Sequence, residues 1–144
     1  VYRLIVHDDA TADLRRMMME DRDAAIRMGR FIQQLQADQE LLDRLTQTTY
    51  GGRPNAPRPP SALFNVGMWR AAQDAGYNLW RLRGYFAEGL PYRLIYAFTP
   101  PGLYVLLAVV EKAAYGADGD ARFNYELSHP VAERVMRALD HLDD

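Results

Sequence analysis

Three arginines in the middle of the chain are spaced for phosphate chemistry. Arg81 and Arg83 stand two apart in Tyr77-Asn78-Leu79-Trp80-Arg81-Leu82-Arg83, and Arg93 lies in Tyr92-Arg93-Leu94-Ile95-Tyr96-Ala97-Phe98. In extended backbone alternate side chains share a face. Arg81 and Arg83 therefore oppose Trp80 and Leu82, and Arg93 opposes Tyr92, Leu94 and Tyr96. If both apolar sets pack inward together, the three guanidinium groups share the outer face. A guanidinium offers a planar fork for bidentate phosphate contacts but holds its proton too tightly to transfer it. The same spacing also describes an ordinary sheet face solvated by arginines. For proton transfer near neutrality, histidine is the suitable type. His129, just before Pro130, reads either as a proton carrier near the arginine face or as a loop histidine fixed by local hydrogen bonds. His7 and His141 have no metal-ligand spacing. Asp118 and Asp120 lack the downstream ligands of a calcium loop.

These residues belong to a chain of 144 residues with 17 Lys+Arg, 19 Asp+Glu and a net charge of −2, which argues against a generic polyanion binder. The sum hides an asymmetry. The balance is 0 over residues 1–60, +2 over 61–112 and −4 over 113–144. Of the basic residues 16 are arginine, and Lys112 is the one lysine. The chain has no cysteine, which excludes thiolate metal sites, cysteine nucleophiles and thiol redox switching. At this length a core can bury roughly 70% of the unfolded surface, so no staple is needed. The longest apolar run, Val105 to Val110, is too short to cross a bilayer, and the first residues lack a signal-peptide layout. The expectation is one soluble, cytoplasmic domain over residues 1–144, with no cofactor and no metal.

The elements that must position the arginines follow from periodicity. Tyr2-Arg3-Leu4-Ile5-Val6 reads as a strand, after which Thr11 or Asp9 can cap a helix. Leu14, Met18, Ala25, Met28, Ile32 and Leu35 recur at helical steps, with Asp21 as the one polar interruption and a break near it. Leu41, Leu42 and Leu45 extend this stripe. Gly51-Gly52 and the prolines at 54, 57, 59 and 60 predict a surface loop, so residues 46–76 are expected to be a long connector ending in a short helix before Gly76. Trp69 there could stack on a partner, though packing between helix and sheet is the ordinary role of such a residue. Two alternating strands then hold the arginines. Pro100-Pro101-Gly102 leads into a third, Leu103 to Glu111, apolar on both faces and so central. Residues 112–129 include the glycines at 116 and 119 and read as a flexible stretch, with Glu111 and Lys112 as a strand-end ion pair. Pro130 opens a final helix with Val131, Val135, Leu139 and Leu142 on one face. The fold class is α+β: N-terminal strand, helical hairpin, antiparallel three-strand meander and C-terminal helix.

This order resembles the RelE/ParE toxin superfamily. The resemblance is carried by Leu79-Trp80-Arg81-Leu82-Arg83, by Pro91-Tyr92-Arg93-Leu94-Ile95-Tyr96 and by the buried run from Tyr104 to Lys112, with the opening strand and helical stripe in support. It covers most of the chain, while residues 46–76 are longer than the compact family pattern. The resemblance implies a bacterial type II toxin held inactive by a cognate antitoxin. In the RelE branch such a toxin cleaves mRNA in the ribosome without metal; in the ParE branch it inhibits DNA gyrase without catalysis. A non-toxic binding domain of the same fold is the third possibility. On the RelE reading, Arg81 and Arg83 correspond to an alternating basic pair, Arg93 to a phosphate-clamping arginine, and Lys112 to the start of a basic loop. That loop usually carries a further arginine; here Ala113-Ala114 follow. Tyr115 and Tyr125 are the candidates for the family's catalytic tyrosine, with His129 as another proton carrier.

Overall fold

A computed structural model describes residues 1–113 and 122–142. It is an α+β structure with a mixed five-stranded sheet and a separate two-stranded ribbon. Strand β1 (Arg3–Val6) leads into helices α1 (Asp8–Glu20) and α2 (Arg22–Gln36), then the short α3 (Gln39–Asp43). The ribbon is β2 (Gly51–Arg53) and β3 (Ala56–Arg58). There follow β4 (Phe64–Met68), α4 (Arg70–Asp74), β5 (Leu79–Gly84), β6 (Tyr92–Thr99), β7 (Leu103–Glu111) and α5 (Pro130–Leu142). Spatial order in the sheet is β1-β7-β6-β5-β4, with β4 to β7 antiparallel in series and β1 parallel to β7.

Capping chemistry sets the helical boundaries. The α1 cap is His7, whose Nδ1 accepts from the Asp9 amide at 3.0 Å, and not Thr11 or Asp9. Asp21 leaves helical geometry at φ −151° and its carboxylate accepts from the Ala24 amide, so it ends α1 and caps α2. That break resets the phase of the stripe. Met18 is consequently exposed, and α1 buries Ala10, Asp13 and Met17. Helix α2 buries Met28, Ile32 and Leu35 as the spacing predicts.

The stretch over residues 46–76 corrects the expectation of a loop. Gly51 and Gly52, at φ +111° and +68°, open the ribbon, and Pro57 is tolerated because both of its strands are edges. Phe64 and Val66 alternate inward on β4, which extends the meander to four strands. The short helix is present as α4. Gly76, at φ +92°, closes it: the Tyr77 amide donates to the Ala72 carbonyl and the Gly76 amide to that of Gln73.

Each face of the sheet carries its own core. Leu82, Leu94, Tyr96, Tyr104 and Leu106 pack against α1 to α3. Ile95, Val105, Leu107 and Val110 pack on the other face with Trp69, Phe123 and α5. Strand β7 is buried on both faces, as its unbroken apolar run requires. Among the described residues no helix is long and apolar enough to cross a membrane.

Candidate functional site

The condition set by the arginine spacing is met. Leu82, Leu94 and Tyr96 face the helical hairpin, with Trp80 half-buried beside them. Arg81 lies opposite Ile95, whose side chain belongs to the other face. By alternation Arg83 and Arg93 share that face.

Lys112 reaches it by a different device. In the β6–β7 pairing Ile95 matches Ala108 and Tyr96 matches Leu106, so Leu107 is an extra residue, a β-bulge. Before the bulge, Tyr104 and Leu106 face the hairpin; after it Val109 does, while Ala108 and Val110 face the other way. The change of parity carries Lys112 to the arginine side. It also turns the Val109 amide toward the outer edge of β7, where Oδ2 of the buried Asp13 accepts it at 2.9 Å. Asp13 in turn accepts from both terminal nitrogens of Arg134 on α5 at 2.8 and 2.7 Å, and from Arg16 at 2.8 Å.

On the arginine face Arg70, Arg81, Arg83, Arg93, Lys112, Met68, Trp69 and Tyr125 line a cleft of about 290 Å³. Among the described residues, no carboxylate lines it and none of its five cations is in an ion pair. Arg81 donates to the side chain of Asn65 on β4, and its guanidinium lies over Gly67, where an added Cβ would sit 2.9 Å from Nη2. Among the described residues, the buried Nε of Arg83 has no hydrogen-bond partner. Such an orphaned donor suits an incoming acceptor. Arg93 is only 7% exposed and donates through Nη1 to the carbonyls of Leu90 and Tyr92. Burial lowers its pKa most; Tyr125 opposes the shift, and Arg83 and Arg81 add to it. The Lys112 ammonium is likewise destabilised, first by desolvation and then by Arg93, Arg83 and Arg81. Burial raises the Tyr125 pKa, against the pull of Arg81 and Arg93. These mutual effects come from groups held close together.

Tyr125 sits at φ +64°, a strained conformation for a bulky side chain that costs on the order of 1–3 kcal/mol. The surroundings hold it there. Trp69 Nε1 donates to the Tyr125 carbonyl at 3.0 Å, and the rings of Trp69 and Phe123 pack against its own at centroid distances of 6.2 and 4.7 Å. Trp69 is therefore a packing residue, 2% exposed, that also fixes the backbone of a cleft tyrosine.

His129 does not join the cleft. It packs edge-on against Phe123 at 5.4 Å, its Nδ1 accepts from the Val131 amide at the start of α5, and it borders a separate recess with Asp13, Glu111 and Arg134. Glu111 points into that recess because neighbouring strand residues alternate, so Glu111 and Lys112 face apart and form no ion pair. Tyr115 and residues 116–121, including Asp118 and Asp120, lie outside the described residues. Sequence reasoning missed Arg70 in the cleft lining, and it missed Asn65 and Gly67 on β4, which contact the Arg81 guanidinium. The alternation of Phe64 and Val66 was the available signal for their strand.

No known protein family, curated protein or solved structure matches this chain.

Proposed function

We propose that this chain is a RelE-like toxin of a type II toxin–antitoxin pair, cleaving translated mRNA at the arginine cleft. One observation carries the reading: Arg81, Arg83, Arg93, Lys112 and Tyr125, separated by up to 44 positions in sequence, line one concavity that no carboxylate among the described residues enters. The order of β1, helical hairpin, meander and α5 supports the family resemblance.

RNA cleavage by 2′-hydroxyl attack needs a base, charge stabilisation and an acid. Arg81 and Arg83, with Arg93 behind them, present positive charge to the non-bridging oxygens of the phosphate. Lys112 is placed as the base, its ammonium form disfavoured relative to a free lysine by burial and the arginines. It takes the 2′-hydroxyl proton as O2′ bonds to phosphorus. Tyr125 is held protonated by burial and donates its proton to the departing 5′ oxygen as the P–O5′ bond breaks. The products are a 2′,3′-cyclic phosphate and a 5′-hydroxyl.

Arg83→Ala and Lys112→Ala test this in a translating extract. The wild-type chain should cut ribosome-bound mRNA; Arg83→Ala should lose about 10²–10³-fold in rate, as on removing one charge-stabilising contact, and Lys112→Ala about 10²–10⁴-fold, as on removing a general base. Arg93→Ala is a poorer test, because it strands the Leu90 and Tyr92 carbonyls. Intact mRNA with the wild-type chain overturns the reading. Inhibition of supercoiling by purified DNA gyrase would then favour the non-catalytic ParE-like function, and inactivity in both assays a non-toxic binding domain. Co-purification with a cognate antitoxin is expected on either toxin reading.

A further inference from the structure

Arg81 of the arginine cleft also borders a neighbouring hollow. A second concavity, about 600 Å³, is lined by Arg53, Ala56 and Arg58 of the ribbon, by Thr48 and Thr49 before it, and by Asn65 and Arg81. Arg81 borders both hollows. The ribbon register pairs Gly51 with Arg58 and Arg53 with Ala56. Directly opposed residues and residues two apart share a face, so Arg53 and Arg58 project together. Both are exposed, and among the described residues neither is in an ion pair and no carboxylate lines either hollow.

The ribbon is fastened to the cleft. Tyr85 donates to the Gly51 carbonyl at 2.7 Å and Asn65 to that of Gly52 at 3.2 Å. The same Asn65 accepts from Arg81. One asparagine thus joins the arm to the guanidinium between the two hollows. Gly51 cannot be replaced without cost, since an added Cβ would fall 2.2 Å from the Phe64 carbonyl oxygen.

We infer that the β2–β3 ribbon is a nucleic-acid-binding arm that holds the single-stranded RNA flanking the cleft, through phosphate contacts from Arg53 and Arg58. This deepens the proposed function and rests on the cleft being an RNA site. It also fits a chain of net charge −2: seven of its 17 basic residues line two hollows that have Arg81 in common and that no acid among the described residues lines.

The test is fluorescence anisotropy of the full chain with a labelled single-stranded DNA dodecamer, which lacks the attacking hydroxyl, across a range of salt concentration. Each phosphate contact to a single strand contributes about −0.7 to the slope of log K against log salt. Arg53→Ala/Arg58→Ala should flatten the slope by about 1.4, weaken the dodecamer and leave a labelled dinucleotide unaffected. A circular dichroism spectrum and melting curve equal to wild type would show that the ribbon pair is not a folding defect. If the double variant keeps the wild-type slope while Arg83→Ala flattens it, the arm is overturned and the cleft reading survives. If the double variant weakens the dodecamer but wild type cuts no translated mRNA, the arm survives and the toxin reading fails. Wild type that ignores the dodecamer yet binds an acidic peptide through Arg53 and Arg58 overturns the arm in favour of a protein partner.

Discussion

Removing the Asp13 carboxylate should destabilise this fold more than truncating Arg83 or Lys112 in the arginine cleft, neither of which is fully buried or ion-paired among the described residues. The side chain is fully buried and accepts from the Val109 amide, from Arg134 through two nitrogens and from Arg16. Asp13→Ala strands all of these donors. Breaking a buried ion pair by deleting one partner costs about 3–5 kcal/mol, and the lower end applies because the Arg134 side chain is 27% exposed and regains water. The Val109 amide is left without its acceptor, worth about 1 kcal/mol or more. Arg16, at 60% exposure, adds little. The expected loss is about 4 kcal/mol. With a urea slope of roughly 2 kcal/mol per molar, the unfolding midpoint falls by about 2 M. Asp13→Asn retains an acceptor for Val109 and should lose roughly half as much, while Arg16→Ala should stay within about 1 kcal/mol of wild type. Urea denaturation followed by tryptophan fluorescence and circular dichroism measures all three. A midpoint shift below about 0.5 M for Asp13→Ala would refute the argument that this carboxylate holds the β7 edge and α5 together.

Two further predictions concern titration. Lys112 is the one lysine in the chain, so ¹³C-dimethylation followed by NMR isolates its signal from every side chain but itself. Its pKa should lie below the ordinary 10.5 and move up in Arg83→Ala, and on the proposed mechanism the pH–rate inflection moves up with it; an unmoved signal would break the coupling to the arginines. At the alkaline end, Tyr104 is pushed up to about 12 by burial from an ordinary 10.0. A raised folded-state pKa stabilises fully below the unfolded value, so stability should hold to about pH 10 and fall as pH climbs toward 12. Tyr104→Phe should flatten that fall in urea titrations at successive pH values, and an unchanged slope would assign the alkaline loss to other groups.

The arginine strands were legible because alternation needs no tertiary information: Trp80 and Leu82 against Arg81 and Arg83 already assign the faces. The terminal helix was legible from Pro130 and its apolar spacing, and α4 from Gly76. The ribbon and β4 were not. Four prolines and two adjacent glycines outweigh the modest alternation of Phe64 and Val66, and only the outer edge of β5 supplies the partner that turns that segment into a strand. The break at Asp21 was legible, but not the change of helical phase across it that leaves Met18 exposed. Asp13 resembles any surface carboxylate on a helix until Val109 and Arg134, 96 and 121 positions away, arrive to bury it. His129 has the chemistry for proton transfer but lies where Pro130 and Phe123 hold it, and no spacing in the sequence reports that.

The extra residue in β7 makes the composition of the cleft a matter of counting. Nothing about Lys112 or its neighbours assigns it to the arginine side; one unpaired residue five positions earlier does. Deleting Leu107 would restore simple alternation, keep every charged group and exchange which side of the sheet carries the amine. Glu111 would move the opposite way, bringing a carboxylate toward the arginines. Related chains should accordingly be compared by strand register as well as by residue identity. A chain with the same arginines and lysine but an unbulged strand would have the ingredients of this cleft without the assembly.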